Sequence, residues 1–139
     1  MDQIIRELSS EMIKTLESQR DWVRNHYTLD SIDKYNTVEG KLYLLDTIIK
    51  SKWINKDETF KLQCLGITLG DALVQDLGLK WIEIEDNFGI DPAIQLENTS
   101  IILFPLTMIS KRIESDEEVE IIELFKSIEN KVYELKNNQ

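Results

Sequence analysis

The spacing of apolar positions changes along this chain, and the change divides it into helical and extended stretches. From residue 2 to about 26, Ile5, Leu8, Met12, Leu16 and Val23 recur at helical intervals, with Glu7, Glu11, Glu17 and Arg20 on other faces. That pattern predicts one long helix, or two with a break. Thr28 to Asn36 has no period and is rich in turn formers, which predicts a loop. Thr37 is placed to cap a second helix carrying Val38, Leu42, Leu45, Ile49 and Trp53 on one side. A third helix, capped by Asn55 or Asp57, is expected to reach about Leu77. It is apolar on two faces, with Phe60, Cys64, Ile67 and Val74 on one and Leu65, Leu69, Ala72 and Leu73 on another. A helix apolar nearly all round is a buried one. Gly66 and Gly70 share a face of it. Each glycine costs on the order of 1 kcal/mol relative to alanine, so a neighbouring element is expected to approach closely there. A phosphate loop is excluded because the lysine and hydroxyl of that motif are missing.

Gly78 is suited to end this helix, and the period then becomes alternating. Trp81-Ile82-Glu83-Ile84-Glu85 reads as a strand, Asp86 to Gly89 as a turn, and Pro92 to Glu97 as a second strand with proline at its start. After a turn over Glu97 to Ser100, a third strand ends at Phe104. The expected strands are residues 80–85, 93–97 and 100–104, and their short connections predict an antiparallel meander. Pro105 can open a short helix through Ile113. Ser115 with Glu118 has the spacing of a capping box for a last helix burying Ile121, Phe125, Ile128, Val132 and Leu135. The fold class is therefore α+β: a three-stranded antiparallel sheet packed against N-terminal and C-terminal helices, in one domain over residues 1–139. The core is expected to include Cys64, Ile67, Ile84, Ile94, Phe125 and Ile128.

Charge changes the picture more than composition does. With 26 acidic and 16 basic side chains, the net charge is −10. Such a surface repels nucleic acid and anionic membranes and attracts a basic protein partner. No apolar run approaches the length of a membrane span, no signal peptide precedes the first helix, and the lone Cys64 excludes an internal disulfide, all of which points to the cytoplasm.

The candidate chemistry is thin. His26 is a solitary histidine with no second histidine or cysteine to complete a zinc site, and Cys64 lies among apolar neighbours that suit a core thiol. Asp86, Asn87 and Asp91 lack the alternate spacing of a calcium loop, and a hairpin turn explains them. No catalytic residue, metal or cofactor is expected. Alternation directs Ile82 and Ile84 toward the helices, with Ile94 and Leu96 beside them. The opposite face then presents Trp81, Glu83, Glu85 and Glu97, an aromatic among acids that would suit a basic partner, and Glu117, Glu118 and Glu120 form a second acidic patch.

Residues from about Leu65 to Phe125 also resemble an uncharacterised bacterial family, a domain of unknown function. The resemblance is carried by Leu65-Gly66, Leu69-Gly70-Asp71, Leu77-Gly78-Leu79, Trp81, Glu85-Asp86, Gly89 and Asp91-Pro92-Ala93, by the run from Phe104 to Glu114, and by Glu118-Val119-Glu120. It implies a bacterial source and a soluble protein, and it carries over no functional residue. Size, charge and the absent catalytic signature together lead to the expectation of a small acidic inhibitor, such as an immunity protein that neutralises a toxin domain. The alternative is a ligand-binding or regulatory domain with a pocket around Trp81 and Trp53. An enzyme with an unfamiliar site ranks last.

Overall fold

The computed structural model describes residues 2–25 and 31–138. Among them, six helices accompany a four-stranded antiparallel sheet whose strands lie side by side in chain order. His26 and the first part of the predicted loop, residues 28–30, lie outside the described residues.

The first predicted helix begins late. Residues Ile4–Arg6 form β1, paired with the edge of β2, Lys80–Asp86, through Ile4 with Glu85, Ile5 with Ile84 and Arg6 with Glu83. The spacing of Ile5 and Leu8 suits a helix, but the open strand edge satisfies the backbone of residues 4–6 first. Helix α1 then covers Ser10–Asn25, and the Ser9 hydroxyl accepts from the Met12 N–H at 3.1 Å. A short helical turn, α2, spans Ser31–Lys34. Helix α3, Val38–Ser51, starts as expected: Thr37 is extended, and its hydroxyl accepts from the Gly40 N–H. Lys52 ends it in the left-handed region, which leaves Trp53 beyond the helix and largely exposed.

Helix α4, Thr59–Leu77, is the central element and packs against α1, α3 and the two later helices over Met108–Glu114 and Ile121–Asn137. Cys64, Leu65, Ile67, Leu69, Ala72 and Leu73 are buried in it, whereas Phe60 in its first turn is exposed. Its glycines meet the close approach that the sequence called for. A β-carbon on Gly66 would lie 2.5 Å from the carbonyl oxygens of Pro105 and Leu106. One on Gly70 would lie 2.7 Å from the ring of Trp81. Gly78 closes the helix at a φ of 67°, its N–H bonded to the Val74 carbonyl.

The meander follows as β2, Lys80–Asp86, β3, Gly89–Gln95, and β4, Ile102–Leu103. Strand β3 starts earlier than predicted, with Pro92 inside it. The position tolerates proline because β4 pairs only with Ile94 and Gln95, so β3 has a free edge at Pro92. A 3₁₀ turn, Pro105–Thr107, leads into α5, Met108–Glu114. The predicted capping box does not form. Ser115 and a left-handed Asp116 close α5 instead, with the Glu117 N–H bonded to the Arg112 carbonyl. Val119 is then drawn into the core, and α6 runs from Ile121 to Asn137, burying Ile121, Phe125 and Val132, with Ile128 half-buried.

Candidate functional site

The sheet exposes a different surface from the one that alternation suggested. The register pairs Trp81 with Ile94 and Glu83 with Pro92, so these four share one face. That face meets the helices: Gly70 of α4 lies against the Trp81 ring, and Ile94 joins the main core. Ile82, Ile84 and Ala93 lie on the opposite face, in a separate buried cluster with Ile102. The predicted orientation is thus reversed for Ile82 and Ile84 of β2, while Ile94 and Leu96 pack on the main core as expected. Alternation separates two faces but does not say which is covered, and here both carry apolar side chains.

Glu83 is consequently not a solvent-facing acid but is 1% exposed. Its carboxylate accepts from the Ser9 N–H at 2.8 Å and from Arg6 Nε at 2.7 Å. The Ser9 bond, and Arg6 after it, hold its pKa below the usual carboxylate range. Trp81 is half-buried, and Glu85 is half-buried and paired with Arg6. Glu97, Glu117, Glu118 and Glu120 are exposed, as expected.

Among the described residues the most exposed aromatic is Phe88, at the tip of the β2–β3 hairpin and 95% exposed. The turn forms for local reasons: the Asp86 carboxylate accepts from the Phe88 N–H at 2.8 Å, and Gly89 takes a φ of 122°. Ile90 is exposed beside it, and Glu85 of β2 pairs with both Ile90 and Ile4, so the exposed Ile4 belongs to the same row. Exposed Asp91 and half-buried Asp86 fringe this apolar end of the sheet. The signal in the sequence was a phenylalanine within a turn, where polar residues and glycine are the norm.

A second constellation centres on Asp71 of α4. Its carboxylate accepts from Arg20 Nε at 2.7 Å and Nη2 at 2.9 Å, from the Tyr35 hydroxyl at 2.5 Å and from Trp81 Nε1 at 2.9 Å. Burial opposes the charge of Arg20, but Asp71 more than offsets it and raises the guanidinium pKa. Burial and the Asp71 charge push the Tyr35 phenol far up. Beside this hub lies an open cavity of about 350 Å³ lined by Arg20, Arg24, Tyr35, Lys41, Asp71 and Gln75, among others. Lys41 is 6% exposed, and its ammonium donates to Gln75 Oε1 at 2.6 Å. A lone charged residue inside the mostly apolar run from Leu65 to Leu73 was the mark of this hub in the sequence.

Cys64 is fully buried, and burial pushes its thiol up to about 11, which keeps it from acting as a nucleophile near neutrality. Among the described residues, no group of His, Cys, Asp and Glu side chains could hold a metal ion, and no helix is long and apolar enough to cross a membrane.

Residues 41–125 match the profile of a family described as "Domain of unknown function (DUF3806)". A search among curated proteins finds no match. Among solved structures, the chain is similar to a protein of Bacteroides thetaiotaomicron VPI-5482, solved by crystallography at 1.50 Å resolution, with a TM-score of 0.74 and 14% identity. The similarity covers 92% of this chain and 47% of that one, so the chain spans about half the length of its structural relative. At this identity the likeness establishes a shared fold.

Proposed function

The chain belongs to the DUF3806 family, a domain of unknown function, and we propose that it works by binding a basic protein partner, not by catalysis. The observation that carries the reading is Phe88, an aromatic side chain held almost wholly in solvent by a well-formed turn. An exposed aromatic with exposed Ile90 two residues on supplies the apolar centre of an interface, Ile4 lies across Glu85 from Ile90, and Asp86 and Asp91 supply an acidic rim. A net charge of −10 steers basic proteins toward such a surface, and exposed Glu97, Glu117, Glu118 and Glu120 add to that field. A toxin domain whose cationic cleft accepts an anionic substrate is a partner class of this chemistry, and the protein would then act as its immunity protein.

The test is co-purification from the native cell after crosslinking, then reconstitution with the purified partner. Supporting the reading would be a basic partner whose binding weakens with salt and is lost in Phe88→Ser while the fold is kept. An acidic partner, or binding indifferent to Phe88→Ser and to Asp91→Lys, would overturn it.

A further inference from the structure

We propose that the cavity above Tyr35 is an oxyanion site, taking the carboxylate or phosphate group of a small molecule. In a chain of net charge −10, a gathering of cations has to be built, and here α1 and α3 bring Arg20, Arg24 and Lys41 to one depression, which Glu17 and Asp71 also line. Arg24 of α1 and Lys41 of α3 converge on the same ring, with Arg24 Cζ at 4.7 Å and Lys41 Nζ at 5.1 Å from the centroid of Tyr35. The ring itself is fixed, because its hydroxyl is bound to Asp71 of α4. Arg20 is fixed by two bonds to the same carboxylate.

Gathering three cations costs energy unless each is answered by an anion. Asp71 answers Arg20, and Glu17 and Asp21 answer Arg24 from the more exposed side. Lys41 differs. Among the described residues its hydrogen-bond partner is a neutral amide, that of Gln75, although the side chain is nearly buried. Burial lowers its pKa, and the Asp71 charge, which Arg20 already engages, opposes that lowering without cancelling it. An ammonium at the edge of a shallow open depression of about 350 Å³, with an amide where a carboxylate would be expected, is a charge arranged for an anion that arrives from outside. The cavity has room for a small molecule bearing one such group, and the side-chain amide of Gln75, which also donates to the Asn36 carbonyl at 3.1 Å, is placed to report on it.

The experiment uses the full chain and two probes at constant ionic strength, inorganic phosphate and acetate, with chloride as reference. Binding is followed by calorimetry and by the NMR signals of the Gln75 side-chain amide. Saturable binding of phosphate, acetate or both beyond the chloride response is expected, and the arm that saturates identifies the group. Lys41→Gln should weaken it by roughly tenfold or more, since a charge-assisted hydrogen bond is lost. The surface control Lys126→Gln and the hairpin variant Phe88→Ser should leave it unchanged. A response no different from chloride, or one equal in wild type and a folded Lys41→Gln, would overturn the proposal. If Lys41→Gln does not fold, the Gln75 signals of the wild type decide alone: saturable shifts support the site, and static signals reject it.

Discussion

Trp81 Nε1 donates to Asp71 Oδ1 across 2.9 Å, joining the first strand of the meander to the central helix. The same carboxylate holds Arg20 of α1 and Tyr35 after α2, so one acid ties four parts of the chain together. Asp71→Ala would leave the mostly buried guanidinium of Arg20 without its carboxylate. The expected loss is about 3–5 kcal/mol, a large share of the stability of a typical domain. Urea denaturation followed by tryptophan fluorescence measures it. A loss below about 1 kcal/mol would show that the hub is dispensable to the fold.

The two helical glycines give opposite expectations from propensity and from packing. Alanine favours a helix by about 1 kcal/mol over glycine, so Gly66→Ala ought to stabilise if the site were open. It is closed by the backbone carbonyls of Pro105 and Leu106, which cannot swing aside. The variant should therefore lose about 1–3 kcal/mol. Gly70→Ala meets the Trp81 ring instead and should also alter the tryptophan emission. A more stable Gly66→Ala would contradict the packing of the 3₁₀ turn on α4.

These glycines also show how much could be read in advance. Their spacing on an apolar helix announced a close neighbour, and the alternation from Trp81 announced the strand. Thr37 and Gly78 marked helix ends through chemistry that is local to the chain. What stayed hidden was set by partners distant in sequence. Ile4–Arg6 became a strand because the edge of β2 was available. Which face of the sheet met the helices depended on the register of Trp81 with Ile94. The candidate surface moved for the same reason: Glu83 turned inward to Ser9 and Arg6, Trp81 came to lie against α4, and Phe88 at the hairpin tip is left 95% exposed. Asp71 gathers residues 20, 35 and 81, and no local pattern joins those positions.

Phe125 tests the docking of the last helix. It is buried in the main core together with residues of α3 and α4. Phe125→Ala removes a ring that the surroundings can only partly replace, and the expected cost is about 3–5 kcal/mol. Cys64 offers a reading on the same core without mutation. Its thiol should resist alkylation in the native state near neutrality and react as the chain unfolds in denaturant. Fast native alkylation would mean that α4 opens locally.

Glu83 makes the last case, because its buried pairing has a definite sign with pH. The Ser9 N–H and Arg6 favour the charged carboxylate, so its folded pKa lies below the unfolded value of about 4.3. A depressed carboxylate contributes stability that is present above the unfolded pKa and is lost as pH falls through the folded one. Glu83→Gln keeps the shape and removes the charge. It should be less stable than wild type near neutral pH, and the gap should narrow as the medium is acidified below about pH 4. Chemical denaturation of both proteins at several pH values measures the gap. A gap of constant size would show that the carboxylate gains nothing from Ser9 and Arg6. Glu83→Lys goes further: it sets a cation against Arg6 in a site that is 1% exposed and should unfold the protein outright. A folded Glu83→Lys would restore the open strand face and return Glu83 to the list of partner contacts.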